Sequence, residues 1–164
     1  MAKGSFRVMA DACVGLNAQL VISLGGGLDP ERLGKLAGDP LVVPYAPQLE
    51  IVKRAAAVIT HAGLNTTLES LAEGVPLICV PFGNDQPGVE SRVAARGAGV
   101  VIPHNKLNVT RLRSVVHGVL REEKYRNAAR RIQQSMQQVE ALSRAADNIE
   151  DAFDIGEARL SRVS

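Results

Sequence analysis

The sequence has no tryptophan, and aromatic residues make up only 3% of its 164 positions. The core must therefore be built from aliphatic side chains, and the chain lacks the aromatic platforms on which single-stranded nucleic acids stack. The net charge of +2 is too small to indicate a nucleic acid or an acidic membrane surface as a partner. We therefore expect no nucleic-acid binding, and nothing indicates membrane contact.

Cysteine is also scarce. The two cysteines, Cys13 and Cys79, lie far apart, match no metal-binding spacing and stand among apolar residues. They are predicted to be core side chains of a protein from a reducing compartment. Long apolar runs are lacking, and the first residues do not resemble a signal peptide. We expect a cytoplasmic protein that forms a single domain over residues 1–164, with a composition typical of globular chains.

Short aliphatic runs alternate with longer amphipathic stretches along the chain. The short runs have the pattern of strands that are buried on both faces, at 20–24, 41–43, 57–60, 76–82 and 99–103. The longer stretches predict helices at 5–16, 29–36, 48–55, 66–73, 87–96, 108–120, 122–138 and 142–153. This alternation predicts an α/β fold, a Rossmann-like parallel sheet flanked by helices, with ligands at the carboxyl ends of the strands.

The densest group of polar residues follows the third predicted strand and opens a helix. Gly63 lets a ligand approach the backbone closely. Asn65, Thr66 and Thr67 supply backbone N–H groups and short polar side chains at a helix N-terminus, an arrangement that favours phosphate. His61, at the end of the strand, could donate to a second phosphate.

Glu69 belongs to the same group of polar residues, but its carboxylate suits a different ligand. A carboxylate would be repelled by a diphosphate, so we expect Glu69 to face neutral hydroxyls such as those of a ribose. The alternative is structural, because the residues from Thr66 to Glu69 match a capping box and Asn65 matches a simple helix cap. On these residues alone, phosphate binding and helix capping both stay open.

Two further polar loops follow neighbouring strands. Asp85 and Gln86 can exchange hydrogen bonds with the hydroxyls of a sugar ring, or can cap a helix that starts at Pro87. Tyr45 offers a flat face for a base and Gln48 a polar edge, although both also fit an ordinary turn. Three such loops follow three successive strands. In chain order, they suit a base, a diphosphate with a ribose, and a sugar.

The elements Tyr45-Ala46-Pro47-Gln48, His61 to Glu69, Gly74-Val75-Pro76 and Asp85-Gln86 occur in that order. Together they resemble the donor-binding signature of family 1 glycosyltransferases, the UDP-sugar-dependent enzymes of GT-B fold. A weaker resemblance runs through nearly the whole chain. It is similar to the C-terminal, donor-binding domain of bacterial members, including zeaxanthin and macrolide glycosyltransferases.

The resemblance implies a role for each matching residue. Tyr45 stands where the family has a Trp that stacks on the base, so stacking is expected while the choice between UDP and dTDP stays open. The other implied contacts are Gln48 beside base and ribose, His61, Gly63, Asn65 and Thr66 at the diphosphate, Glu69 at the ribose, and Asp85 and Gln86 at the transferred sugar.

The resemblance also implies what this sequence does not contain. Family members carry the acceptor pocket and a catalytic His–Asp pair in an N-terminal domain, to which nothing here corresponds, and His61 matches the phosphate position instead. We expect an inverting, metal-independent hexosyl transfer to a small hydroxyl acceptor, with no cofactor besides the sugar nucleotide as co-substrate. No catalytic or metal-binding residue is predicted, and the chain alone should be inactive.

Alternatives remain for how the chain works. It could be the donor-binding subunit of a split glycosyltransferase, with the acceptor domain on a partner chain, or a non-catalytic module that binds sugar nucleotides. The resemblance also implies a first strand between those at 20–24 and 57–60 that this sequence lacks. We expect either that these two strands pair directly, or that a second copy in a homo-oligomer or a partner fills the gap.

Overall fold

The computed structural model describes residues 3–83, 86–138, 148–149 and 151–152. The chain divides into two units, residues 1–133 and residues 134–164. Of the second unit, the described residues 134–138, 148–149 and 151–152 are helical. Within the described ranges, no helix has the length and apolar character needed to cross a membrane.

Strands and helices alternate throughout the first unit. The strands are β1 (Val21–Ser23), β2 (Leu41–Val43), β3 (Val58–Thr60), β4 (Leu77–Cys79) and β5 (Gly99–Val101). The α-helices are α1 (Lys3–Cys13), α2 (Gln48–Val52), α3 (Leu64–Ala72), α4 (Gln86–Ala95), α5 (Val109–Arg121) and α6 (Glu123–Gln138). Two 3₁₀ turns lie at Pro30–Leu33 and His104–Lys106.

All strand pairs are parallel, which confirms the predicted α/β fold. Strands β1 and β2 form one sheet, and β3, β4 and β5 form a second sheet with β4 in the middle. Helix α5 packs on α1 and contacts β4 and β5, while α3 contacts β3 and α4 contacts β5. Parallel strands with helical connections bury both faces of the sheet, and all three residues of β4 are fully buried.

The core joins the two sheets through one apolar cluster. It includes Phe6 of α1, Ile22 of β1, Ile78 of β4 and Leu112 and Val116 of α5. Each fully buried side chain of this size contributes about 1.5–3 kcal/mol relative to exposure. The cluster therefore packs side chains of both sheets against side chains of α1 and α5.

Four helix predictions need correction. Helix α1 spans Lys3–Cys13 where 5–16 was expected, and α2 ends at Val52, three residues before the expected end. The helix expected at 29–36 is a short 3₁₀ turn, in which the Asp29 side chain accepts a hydrogen bond from the backbone of Glu31, and Gly34 ends the turn at φ 65°. Helix α3 begins at Leu64, two residues before the predicted start. Of the helix expected at 142–153, only residues 148–149 and 151–152 are described, and they are helical.

The single continuous sheet that the sequence predicted is divided, and direct pairing of β1 with β3 is wrong for the described residues. Leu24 donates to the carbonyl of Val43, so alternation turns the backbone groups of Ser23 away from β2. Val58 donates to Pro76, which in the same way turns the backbone groups of Ile59 away from β4. The alternative that another strand fills this position stays a prediction.

Candidate functional site

A sharp turn between β3 and α3 brings the start of the helix to the carboxyl end of the strand. The hydroxyl of Thr60 accepts a hydrogen bond from the backbone N–H of Ala62 at 3.3 Å. Ala62 is fully buried and has φ 67°, a left-handed conformation that costs a non-glycine residue about 1–2 kcal/mol. Such strain is retained where surrounding contacts define the turn, and it is common at functional sites.

The N-terminus of α3 is open. Gly63 is the N-cap residue and provides no side-chain cap, and the first intrahelical bond runs from Thr67 N–H to the Gly63 carbonyl at 3.1 Å. The N–H groups of the first three helical residues, Leu64, Asn65 and Thr66, precede that bond and have no partner within the helix. Together with the positive end of the helix dipole, they form a place where an anion is stabilised.

The capping-box alternative is wrong for these residues. Thr66 is the third residue of α3 and Glu69 lies in the middle of the helix, so neither stands at a cap position. Asn65 is the second helical residue and is not the N-cap either. The Thr67 hydroxyl donates to the Gly63 carbonyl at 2.9 Å, while the side chains of Thr66 and Glu69 turn to a residue of another helix.

The imidazole of His61 covers the N-cap residue. A β-carbon placed on Gly63 would stand 2.6 Å from His61 Nε2 and 3.2 Å from Cε1, so the ring lies against the glycine backbone. His61 itself is exposed. The structure thus brings together an exposed histidine ring and the open N-terminus of α3. That the two form a phosphate site stays a prediction.

Gln48 connects α2 to α3 through a small hydrogen-bond network. Its Nε2 donates to Glu69 Oε2 and, at 3.3 Å, to Thr66 Oγ1. Thr66 Oγ1 in turn lies 3.4 Å from Gln48 Oε1, to which it can donate. The network brings Gln48, Thr66 and Glu69 together beside the start of α3, and Glu69 takes part through one of its two carboxylate oxygens.

Tyr45 lies in the loop after β2, directly before α2. Its side chain is 76% exposed, whereas the next residue, Ala46, is buried. A phenol ring this exposed contributes little to the core, so the turn presents a flat apolar face to solvent. Tyr45 lies three residues before Gln48 in the chain. The exposed ring therefore belongs to the same segment as the Gln48 side chain, which forms the network with Thr66 and Glu69.

The loop after β4 is described in part. Asp85 lies outside the described residues, and Gln86 is the first residue of α4, with a side chain that is likewise outside them. Phe82 is described, and its ring lies 4.4 Å from that of His104, centroid to centroid. This contact joins the segments that follow β4 and β5. Sequence reasoning missed this contact, because the two residues belong to different loops and share no periodic pattern.

Both cysteines are free thiols, as the sequence predicted. Cys79, at the end of β4, is fully buried, and burial together with the nearby Glu90 carboxylate raises its pKa to about 12. Burial also raises the pKa of Cys13, which the positive charge of Arg113 lowers in part. Neither thiol has the depressed pKa of a nucleophile.

The arrangement at the carboxyl ends of the strands defines a class of protein. Parallel strands, an open helix N-terminus and polar side chains in the loops are typical of α/β domains that bind ligands at this edge. The family model for UDP-glucoronosyl and UDP-glucosyl transferases matches residues 1–151. The chain belongs to this family of glycosyltransferases.

Relatives from bacteria agree with this assignment. The chain is 34% identical over 150 residues to an uncharacterized UDP-glucosyltransferase, YojK, of Bacillus subtilis. It is 29% identical over 160 residues to the zeaxanthin glucosyltransferase of Pantoea ananas. The alignments cover 92% and 96% of this chain but only 37% of each relative.

Solved glycosyltransferases of GT-B fold have the same architecture over a part of their chains. The calicheamicin glycosyltransferase CalG4 is similar with a TM-score of 0.84 and 30% identity, over 92% of this chain and 38% of that one. The glycosyltransferase VinC, solved in complex with DTDP, is similar with a TM-score of 0.77 and 25% identity, over 87% of this chain and 37% of that one. The chain therefore spans little more than a third of the proteins it matches.

Proposed function

We propose that this chain binds the nucleotide-sugar donor, a UDP- or dTDP-hexose, of an inverting and metal-independent glycosyltransferase that transfers the hexose to a small hydroxyl acceptor. One observation carries the proposal. The open N-terminus of α3 follows β3 directly, and the His61 ring lies against its N-cap residue, Gly63. A diphosphate is the part of a sugar nucleotide that such a site suits.

Hydrogen bonding and the helix dipole support a diphosphate at the start of α3. Three backbone N–H groups, of Leu64, Asn65 and Thr66, lack helical partners there, and no side chain caps the helix. A negative charge at a helix N-terminus gains about 0.3–1 kcal/mol from the dipole, and up to about 2 kcal/mol when partly buried. His61 adds a ring N–H donor beside this terminus, where the second phosphate would lie.

The position of Glu69 supports the ribose assignment. It lies three residues after Thr66, so its α-carbon is about 4.5 Å further along the helix. That step moves the carboxylate away from the diphosphate and toward the neighbouring part of the nucleotide. Its carboxylate is an acceptor that suits the two ribose hydroxyls, and its side chain is partly accessible.

Tyr45 completes the proposed nucleotide site, with its exposed ring as a surface for the base. The DTDP complex of the structural neighbour VinC supports a pyrimidine nucleotide as ligand. Asp85 and Gln86 are proposed to contact the transferred hexose, as the family signature implies.

The chemistry follows from where negative charge develops. The acceptor oxygen displaces the nucleoside diphosphate at the anomeric carbon, and the leaving diphosphate gains charge as the glycosidic bond breaks. Donors fixed at the start of α3 stabilise that charge without reorganisation, which is why no metal is required in this proposal. A base must remove the acceptor's proton. We assign the base and the acceptor pocket to a further domain or a partner chain, so the 164-residue chain binds the donor without transferring the sugar.

Calorimetric titration with UDP, UDP-glucose and dTDP tests the proposal. Saturable binding is expected, and His61→Ala and Glu69→Ala should each weaken it about tenfold or more, since a hydrogen bond to a charged group contributes about 1.5–3 kcal/mol. His117→Ala is the matched control, because His117 is an exposed residue of α5. Absence of binding by a chain with a normal thermal transition contradicts the proposal.

A further inference from the structure

We propose that Thr60 is a positioning residue for the donor: its buried hydroxyl holds Ala62 in the left-handed conformation, and this conformation places the His61 ring over the start of α3. The inference rests on the proposed function, in which His61 donates to the second phosphate of the nucleotide. It adds to that function a residue that the ligand does not touch and that acts through the backbone of the turn.

The conformation of Ala62 is the feature that needs a cause. Two described residues other than glycine have positive φ, Asp39 at 48° and Ala62 at 67°. Asp39 is exposed and of a type that visits this region readily, whereas alanine does so rarely. Ala62 is also completely buried, between the two residues whose contact carries the proposed phosphate site, His61 and Gly63. Such conformations persist only where the surrounding structure holds them.

Thr60 supplies a contact that holds this conformation. Its Oγ1 accepts a hydrogen bond from the backbone N–H of Ala62 at 3.3 Å, across the intervening His61. Thr60 is itself held in place as the last residue of β3, because its carbonyl accepts from the Val80 N–H at 2.7 Å and it pairs with Cys79 of β4. A hydroxyl fixed by the strand therefore determines the path of the backbone in the turn that follows.

The path of the turn decides where the imidazole lies. The His61 ring lies against the backbone of Gly63, and Ala62 is the residue between them. With a negative φ at Ala62, the chain would leave His61 in another direction and the ring would no longer cover Gly63. The cost of a left-handed alanine and the net gain from one hydrogen bond are similar in size. Loss of the Thr60 hydroxyl should therefore be enough to release the turn.

Two other roles for Thr60 make different predictions. If its hydroxyl contacts the phosphates directly, its removal weakens UDP binding even when His61 is already an alanine, although Thr60 is only 3% exposed. If the hydroxyl only stabilises the domain, its removal weakens UDP and UMP alike. Action through His61 predicts a loss for UDP that UMP does not share, because UMP lacks the second phosphate.

The test is calorimetric titration of variants with UDP and with UMP. Thr60→Val keeps the branched shape of the side chain but lacks the hydroxyl. It should weaken UDP binding about tenfold, as loss of one hydrogen bond to a charged group does, and UMP binding less than about twofold. Thr60→Ser keeps the hydroxyl and should retain the wild-type affinity for both nucleotides. Thr110→Val, at an exposed position of α5, is the matched control.

A second substitution separates the conformation of the turn from the hydroxyl itself. Glycine adopts positive and negative φ about equally, so about half of the Thr60→Val/Ala62→Gly molecules should hold the turn in its binding form. Because the apparent affinity scales with that fraction, this double variant should bind UDP within about threefold of the wild-type chain. A direct contact between the hydroxyl and phosphate allows no such rescue.

The outcomes separate this inference from the proposed function. If Thr60→Val leaves UDP binding unchanged, weakens UMP as much as UDP or is not rescued by Ala62→Gly, the positioning role is wrong and donor binding stands. A further loss from Thr60→Val in the His61→Ala background also contradicts it. If neither Thr60→Val nor Thr60→Ala gives a cooperative thermal melt, the hydroxyl is required for folding and the positioning role is wrong. If the folded wild-type chain does not bind UDP, the proposed function fails and the positioning role fails with it.

Discussion

The imidazole of His61 lies against the backbone of Gly63, so closely that any β-carbon on Gly63 would stand 2.6 Å from His61 Nε2. Gly63 has φ −61° and ψ 141°, values that every residue type adopts. The glycine is therefore needed for the space that the ring occupies and not for its backbone conformation. A substitution of Gly63 can therefore move the His61 ring without straining the backbone of the turn. Its effect on ligand binding can be measured separately from its effect on stability.

Gly63→Ala should displace the His61 ring while leaving the fold intact. The three heavy atoms nearest to the added methyl group all belong to the His61 side chain, which can rotate away. We expect UDP binding to weaken about tenfold, as for loss of one hydrogen bond to phosphate, with little change in the thermal midpoint. Gly4→Ala in α1, where a β-carbon meets nothing within 4 Å, is the control. Unchanged affinity in Gly63→Ala would remove His61 from the site.

Glu69→Ala should leave the free energy of unfolding within about 0.5 kcal/mol of the wild-type value, as is usual for a surface substitution. Loss of a helix cap would instead cost about 1 kcal/mol. The structure favours the smaller change, because Gly63 is the N-cap residue of α3 and Glu69 lies in the middle of the helix, away from any cap position. Urea denaturation measures the free energy of unfolding. A loss of about 1 kcal/mol or more in Glu69→Ala would show that Glu69 has a structural role.

The same substitution should have opposite effects at Gly99 and Gly118. A β-carbon on Gly99 in β5 would collide with the Leu77 carbonyl of β4 and stand 2.9 Å from Val93 Cγ1, so Gly99→Ala must move the backbone. We expect a loss of about 1–3 kcal/mol, typical of overpacking.

Gly118, in contrast, lies within α5, where only the mobile end of the Glu122 side chain is near, at 3.3 Å. Gly118→Ala should gain about 0.5–1 kcal/mol, because alanine is the better helix former. Urea denaturation of both variants checks the pair, and equal effects of the two substitutions would contradict the described packing of β5.

Stability at high pH should depend on Cys79. Burial raises the pKa of this thiol to about 12 from its ordinary value of 9.0, so the folded state favours the neutral form. The stability that this gives is present below pH 9 and is lost as the pH rises toward 12. Between pH 8 and pH 10, the wild-type chain should lose about 1.4 kcal/mol more than Cys79→Ala does. Parallel pH profiles of the two proteins would disprove the shifted pKa, since other titrating groups are common to both.

Sequence reasoning located the strands well because strands buried on both faces are short aliphatic runs, and here glycines and prolines separate them from longer amphipathic stretches. It missed the start of α3, since the turn depends on a left-handed Ala62 that its residue type does not suggest. It could not find the contact of Gln48 with Glu69 or of Phe82 with His104, because both join residues about 20 positions apart on different elements. Tertiary packing alone brings such pairs together.

The most direct test of the central claim is a map of backbone amide shifts in ¹⁵N-labelled chain as UDP is added. A diphosphate at the open start of α3 should move the N–H signals of Leu64, Asn65 and Thr66 most, and these shifts should saturate together with the calorimetric isotherm. Saturable binding whose largest shifts lie elsewhere, with these three signals unchanged, would contradict the placement of the diphosphate on α3.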